Sequence, residues 1–148
     1  MKLIPVFTII AASVALLGCS KDKFETTPSI EITEYNTREI FQGGQLEVIM
    51  NYFDKEGDLN QGRLTAVIRR QNIIPILDPN QDKADSLTYI LPDFPPRDKG
   101  EITFRLGFNF LKESLAENDT LLIRFTVTDL KNNTSDSILT ERIVVHLP

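Results

Sequence analysis

Tryptophan is absent from this sequence, and cysteine and histidine occur once each, as Cys19 and His146. A lone cysteine excludes an internal disulfide, so the folded part must be stabilised by its apolar core. A serine–histidine–acid arrangement would have to use His146, which lies two residues from the C-terminus, and no nucleophile elbow is present. The sequence also contains no HExxH motif, CxxC motif or glycine-rich phosphate loop. These absences predict that the protein is not an enzyme.

Basic residues are also in short supply, with 16 lysines and arginines against 21 acidic residues and a formal net charge of −5. An acidic excess opposes binding to nucleic acid and to anionic lipid headgroups, because both partners are negatively charged. The one long apolar run lies between Leu3 and Leu17. It is shorter than the roughly 20 residues that a membrane-spanning helix needs. The sequence therefore predicts neither a nucleic-acid partner nor a transmembrane anchor.

The N-terminal leader has the pattern of an export signal, with Lys2 before the apolar run and a small residue, Gly18, at its end. Its last residues, Leu16-Leu17-Gly18-Cys19, resemble the lipobox of bacterial lipoproteins. The resemblance implies cleavage after Gly18, a diacylglycerol on the Cys19 sulfur and a further acyl chain such as palmitate on the new amine. Two or more acyl chains are needed for lasting membrane attachment. The alternative is an ordinary signal peptide that leaves Cys19 as a free thiol.

Removal of the signal peptide, residues 1–18, leaves 130 residues with 15 basic and 21 acidic side chains, a formal charge of −6. This length is typical of one domain. Residues 19–28 are polar and lack apolar periodicity, which predicts a flexible tether between the lipid and a domain over 29–148. In the Gram-negative lipoproteins that this leader resembles, an aspartate directly after the lipid cysteine retains the protein in the inner membrane in some species. This sequence has Ser20 at that position. Its presence favours the outer membrane, with the periplasmic and surface faces both open.

Alternation of apolar and polar residues recurs along residues 29–148 and predicts β-strands. It is clearest over 45–53, where apolar residues at every second position share one face. A helix of at most two turns is predicted over 110–117, since Leu111 and Leu115 are four residues apart. About seven strands in this length predict an all-β, antiparallel β-sandwich with sheets solvated on one face. The strands are expected near residues 30–35, 45–53, 64–69, 87–91, 102–109, 121–128 and 137–146.

Three carboxylates lie at alternate positions in the turn after the 45–53 strand, at Asp54, Glu56 and Asp58. Acidic oxygens so spaced in an irregular loop suit Ca²⁺, which takes six to eight oxygen ligands. The EF-hand template does not fit, because Leu59 stands where that loop requires glycine. The segment Asp-Lys-Glu-Gly-Asp-Leu instead resembles the acidic Asp-x-Asp-Gly-Asp loops of immunoglobulin-like modules in bacterial surface lipoproteins.

A second segment, residues 125–134, resembles the Val-x-Asp-x-x-Gly-Asn hairpin that ends such modules, with Asn132 in place of the glycine. Asparagine tolerates positive φ better than most residues, so the turn is expected to form. The resemblance implies an immunoglobulin-like sandwich whose B–C and F–G loops share one end. That arrangement predicts a metal site formed by Asp54, Glu56, Asp58 and Asp129. The alternative is that these acids are ordinary turn residues.

The favoured function is a cell-envelope lipoprotein with a non-catalytic binding or scaffolding role, a membrane partner through its lipid, and an envelope protein or glycan as second partner. Ca²⁺ is the only candidate cofactor besides the covalent lipid on Cys19. The alternative is a carbohydrate-binding surface lipoprotein accessory to nutrient uptake, for which Phe41 and Phe94 are the candidate exposed aromatics. An enzyme would need a pocket that unites His146 or several carboxylates.

Overall fold

The computed structural model describes residues 26–75 and 85–148. The predicted signal peptide, Cys19 and most of the predicted tether lie outside the described residues. Regular structure in the described part is nearly all β, with nine strands and a single-turn helix, α1, at Phe108–Leu111. The strands are β1 Ser29–Tyr35, β2 Glu39–Ile40, β3 Gln45–Phe53, β4 Arg63–Arg70, β5 Ser86–Ile90, β6 Lys99–Gly107, β7 Asp119–Thr128, β8 Ile138–Leu139 and β9 Ile143–Val145.

The strands form two sheets, which confirms the predicted β-sandwich. One sheet has the order β1-β3-β6, and the other has the order β2-β9-β7-β4-β5, with β8 also paired to β7. Every strand pair in the described residues is antiparallel except β2 with β9, which is parallel. This pair is an exception to the predicted antiparallel arrangement, and it places the short β2 at one edge of the second sheet.

The strand number exceeds the predicted seven for two reasons. The two-residue β2 is too short to show alternation, and the strand predicted over 137–146 is divided into β8 and β9. Between β8 and β9, the Thr140 hydroxyl accepts a hydrogen bond from the Ile123 amide at 2.9 Å, and the Thr140 amide donates one to the Ile123 carbonyl. A side-chain oxygen thus replaces a backbone acceptor in the ladder and interrupts the strand.

The core lies between the two sheets and follows the predicted alternation. In β3 the inward residues from Leu46 to Tyr52 are buried, and in β7 those from Leu121 to Val127 have no exposed surface. Phe104 of β6 packs edge-on against Phe125 of β7, with ring centroids 4.9 Å apart. Each large apolar side chain buried in this way contributes about 1.5–3 kcal/mol. The sandwich is therefore stabilised by apolar packing, as the absence of disulfides requires.

The helix prediction over 110–117 was wrong in its position and length. Helix α1 has only one turn, and Leu115 is 73% exposed. The reason is the buried Asp119 carboxylate, which accepts hydrogen bonds from the Glu113 and Ser114 amides. Amides bound by this carboxylate are not donated to preceding carbonyls, so the helix ends. No helix in the described residues is long and apolar enough to span a membrane.

Two connections meet at the end of the sandwich where β3 ends and β4 begins. Residues 54–62 cross from the first sheet to the second, and residues 129–133 turn between β7 and β8. Gly62 makes their approach possible, because a Cβ there would lie 2.4 Å from the Thr128 carbonyl oxygen. Asn132 has φ of +67°, as expected for asparagine in the position of the usual glycine. The two loops predicted to share one end therefore do so.

Candidate functional site

Three of the four predicted metal ligands lie together between these loops. Carboxylate oxygens of Glu56, Asp58 and Asp129, termed the acidic cluster, lie within 4.8 Å of one another. Gly57, between the first two, has φ of +68°, a conformation that glycine adopts without steric cost. The Leu130 amide donates to the Asp58 carbonyl at 3.3 Å and holds the loops in contact. The fold thus brings together acids that lie on loops far apart in sequence.

A lysine pairs with two members of the acidic cluster. The Lys131 ammonium lies 2.6 Å from Glu56 Oε2 and 3.0 Å from Asp58 Oδ2. Hydrogen bonds from this ammonium to the two carboxylates raise the pKa of Lys131 well above its usual range. Asp129 directs its carboxylate to its own turn, accepting the Asn133 amide and side-chain amide at 2.8 Å each. The cluster therefore already contains one cationic partner.

Asp54, the fourth predicted ligand, lies outside the acidic cluster. Its side chain is fully buried, and its Oδ1 accepts the Glu56 amide at 3.3 Å. Burial, followed by the nearby Asp58 charge, raises the pKa of the Asp54 carboxyl. Asp54 forms the start of the loop, since its carbonyl also accepts the Gly57 amide. A cation at the cluster would therefore have three carboxylates, with Lys131 as its competitor.

All-carboxylate donors suit a hard cation such as Ca²⁺, but three carboxylates do not by themselves supply six to eight oxygens. Backbone carbonyls or water would have to complete the shell, and the Lys131 ammonium would have to leave. Calcium binding at the acidic cluster therefore stays a prediction. The interactions present join the two loops through an ammonium and carboxylates.

His146 lies at the other end of the sandwich from the acidic cluster, just after β9. Its Nε2 lies 2.6 Å from Glu39 Oε2, its Nδ1 lies 3.4 Å from the Asn118 side-chain amide, and its ring stacks on Phe41 at 4.3 Å. Within the described residues, the polar partners of the imidazole are thus a carboxylate and an amide, and no serine is among them. His146 therefore lies apart from the clustered acids and lacks a nucleophile beside it.

A cleft that the sequence did not predict opens along one side of the sandwich, between the edge strands β5 and β6. We call it the edge cleft; its volume is about 420 Å³, within the 300–1,000 Å³ typical of small-ligand sites. Its apolar lining comes from core residues and from the connection between the two strands: Tyr52, Leu64, Tyr89, Leu91, Phe94 and Phe104. An apolar lining with few polar groups is typical of a binding site for a small molecule.

Prolines explain why the edge cleft stays open. The connection from β5 to β6 contains Pro92, Pro95 and Pro96, and proline lacks the amide proton that a strand ladder needs. The segment therefore crosses between the sheets without forming a strand. Leu91 anchors its start, with a buried side chain and an amide that donates to the Gly62 carbonyl at 2.8 Å. Half-buried Phe94 packs on the core at its middle.

Tyr52 contributes the most deeply placed polar group of the edge cleft. Its side chain is only 4% exposed, and its hydroxyl has no hydrogen-bond partner in the described part of the chain. Tyr52 is paired across the sheet with Gly100, and a Cβ at that position would lie 2.7 Å from the tyrosine ring. The glycine thus lets the ring cross β6 towards the edge of the sheet. Burial raises the pKa of Tyr52, so the hydroxyl keeps its proton.

Arg97 provides positive charge beside this hydroxyl. Its guanidinium lies over the Phe94 ring, 5.8 Å from the centroid, and Phe94 lies 6.0 Å from the Tyr52 ring. Burial and the charges of Asp54 and Asp98 act to raise the pKa of Tyr52, while the Arg97 charge acts to lower it. No carboxylate in the described residues forms an ion pair with Arg97. Arg105, which also lines the cleft, is paired with Glu47.

No protein-family model matches the chain, and no curated protein matches it either. The crystal structure of Spo0M, a sporulation control protein from Bacillus subtilis, is similar over 82% of this chain, with 11% identity and a TM-score of 0.46. A β-glucosidase from Listeria innocua in complex with glucose is similar over 80%, with 13% identity and a TM-score of 0.36. This chain spans 50% of the first protein and 16% of the second.

Proposed function

We propose that this protein is a cell-envelope lipoprotein, anchored by acyl chains on Cys19, whose β-sandwich has a non-catalytic binding role. The observation that supports binding most strongly is the edge cleft, where the Tyr52 hydroxyl and the unpaired Arg97 guanidinium line an apolar cavity. Membrane attachment is supported by the lipobox-like residues before Cys19 and by the polar segment 19–28. Ser20 favours the outer membrane.

A binding role is favoured over catalysis by the placement of the reactive groups. His146 is paired with Glu39 at one end of the sandwich, and the acidic cluster is paired with Lys131 at the other. The edge cleft is lined by neither of these groups. General acid–base catalysis requires a proton donor or acceptor within hydrogen-bond reach of the substrate. Glu101, the carboxylate of the cleft lining, lies on the outer face of β6, and the inward-facing lining suits recognition.

The anchor is tested by producing the chain in a Gram-negative host and separating detergent and aqueous phases. We expect the wild type in the detergent phase and Cys19→Ser in the aqueous phase, because loss of the sulfur removes the acyl chains. Ser20→Ala is the matched control and should stay in the detergent phase. A wild-type chain that enters the aqueous phase with an unmodified thiol by mass would disprove the anchor.

Carbohydrate binding is the second candidate, and Phe41 is the observation that favours it. Phe41 is 60% exposed, and its ring stacks on His146, which contacts Glu39 and Asn118. An aromatic face beside polar side chains suits a sugar ring. Electrophoresis in gels that contain soluble polysaccharides should show retardation that Phe41→Ala removes and Phe53→Ala, another exposed phenylalanine, leaves unchanged. Equal mobility of the wild type with and without polysaccharide would exclude this candidate for the polysaccharides used.

A further inference from the structure

We infer that the edge cleft binds a small molecule with a compact apolar body and one carboxylate, which accepts hydrogen bonds from the Tyr52 hydroxyl and the Arg97 guanidinium. This inference deepens the proposed binding role and rests on it. It does not require the lipid anchor.

The unpartnered Tyr52 hydroxyl is the first support. Among the described residues, the buried polar atoms without a hydrogen-bond partner belong to Asp54, Asp58 and Arg70, so the unpartnered Tyr52 oxygen is not sealed inside the protein and reaches the open space of the cleft. The Tyr52 side chain is buried, and it lines the cleft. Because the hydroxyl keeps its proton, it is available as a donor. A ligand acceptor in the cleft would supply the partner that the described part of the protein lacks.

Arg97 is the second support, because it selects the charge of the ligand. Its guanidinium is exposed and has no ion-pair partner in residues 26–75 and 85–148, so its donors are available. Hydrogen bonds between a guanidinium and a carboxylate are about twice as strong as those between neutral groups. The other charged residues of the lining, Glu101 and Arg105, alternate with the inward Phe104 and lie on the outer face of β6. Arg97 is therefore the cation of the lining that has no carboxylate partner in the described residues.

The apolar walls are the third support, because they define the ligand body. Buried Leu64, Leu91 and Phe104 and half-buried Phe94 surround a cavity of about 420 Å³. A cavity of this size accommodates a single aromatic or branched aliphatic group with a short chain. The carboxylate would then lie at the Tyr52 and Arg97 side, with the apolar body between the edges of the sheets.

Isothermal titration calorimetry of the full-length chain with 3-phenylpropionate tests this inference. The chain is used in lipid nanodiscs, or in buffer if it proves not to be anchored. We expect binding that weakens about tenfold in Tyr52→Phe, which loses only the hydroxyl, and about tenfold in Arg97→Gln. Arg69→Gln, which removes an exposed arginine on β4, is the matched control and should bind as the wild type does.

Ligand analogues provide the second arm. The neutral 3-phenylpropionamide and the cationic 3-phenylpropylamine keep the apolar body, and both should bind at least tenfold more weakly than the carboxylate. Equal affinity for the carboxylate and the amine would overturn the inference, as would unchanged affinity in both Tyr52→Phe and Arg97→Gln. Arg97 is exposed, so its variant should fold even if Tyr52→Phe does not. Binding by a chain that fails to enter membranes would disprove the anchor alone.

Discussion

Asp54 and Asp119 are both fully buried aspartates, yet their pKa values move in opposite directions. For Asp54, burial and the neighbouring Asp58 raise the pKa of the carboxyl. For Asp119, burial also acts to raise the pKa, but hydrogen bonds from Lys112 and from the Glu113 and Ser114 amides outweigh it and lower the pKa. At the scale of single residues, hydrogen-bond donors and neighbouring charges decide whether the pKa of a buried carboxyl is raised or lowered.

The lowered pKa of Asp119 predicts a loss of stability in acid. Because the folded state holds this carboxylate charged, its contribution is present above the unfolded pKa of about 3.9 and is lost as pH falls through the folded pKa. Asp119→Asn removes the carboxylate that pairs with the buried Lys112 ammonium at 2.9 Å and should cost about 3 kcal/mol at pH 7. Urea unfolding at pH 7 and pH 3 should show a smaller difference from wild type at pH 3.

Asp54→Asn is the matched comparison for this experiment. A raised carboxyl pKa means that ionisation of Asp54 opposes folding above that pKa, so the neutral asparagine should not destabilise the chain at pH 7. A loss of stability in Asp54→Asn as large as that in Asp119→Asn would contradict this assignment, as would a pH-independent effect of Asp119→Asn.

Lys131 gives the second prediction at this scale. Its ammonium pairs with Glu56 and Asp58, so any Ca²⁺ at the acidic cluster has to displace it. We expect Lys131→Met to have a lower melting temperature than the wild type in EDTA. Added Ca²⁺ should raise the melting temperature of Lys131→Met by more than it raises that of the wild type. Lys99→Met, which removes an exposed lysine on β6, should respond to Ca²⁺ as the wild type does. An identical calcium response in Lys131→Met and wild type would show that the lysine and a cation do not compete.

At the scale of elements, the sequence predicted the strands that alternate over many residues. The predicted strand over 45–53 has the bounds of β3, and the long β7 buries every second residue as expected. The helix was misplaced because the Asp119 carboxylate accepts hydrogen bonds from the Glu113 and Ser114 amides, which a longer helix would donate to its own carbonyls. The short β2 was missed because two residues carry no periodicity.

The turn after β7 provides the prediction at this scale. Asn132 has φ of +67°, and its side-chain oxygen accepts a hydrogen bond from Arg63 at 3.2 Å. Alanine in a left-handed conformation costs about 1 kcal/mol more than glycine. Urea midpoints should therefore place Asn132→Ala below both wild type and Asn132→Gly. Equal midpoints for the alanine and glycine variants would mean that the turn adopts another conformation.

At the scale of the whole molecule, the candidate sites depend on where strands lie in the sheets. The acidic cluster was predicted in part, since the resemblance placed its two loops at one end, but neither the Lys131 pairing nor the exclusion of Asp54 was visible in the sequence. The edge cleft had weaker signals. Tyr52 follows the same alternation as Leu46, and only the proline-rich break at residues 92–96 marked the connection that leaves the cleft open. Which strands form edges is decided by tertiary pairing.

The position of the bound ligand tests the central claim, that the sandwich is a binding module whose site is the edge cleft. The measurement is intermolecular nuclear Overhauser effects between 3-phenylpropionate and the isotope-labelled full-length chain. We predict contacts from the phenyl protons to Phe94, Leu64 and Phe104, which line the cleft. Contacts confined to Phe41 and the opposite end of the sandwich, or no contacts at saturating ligand, would contradict the account.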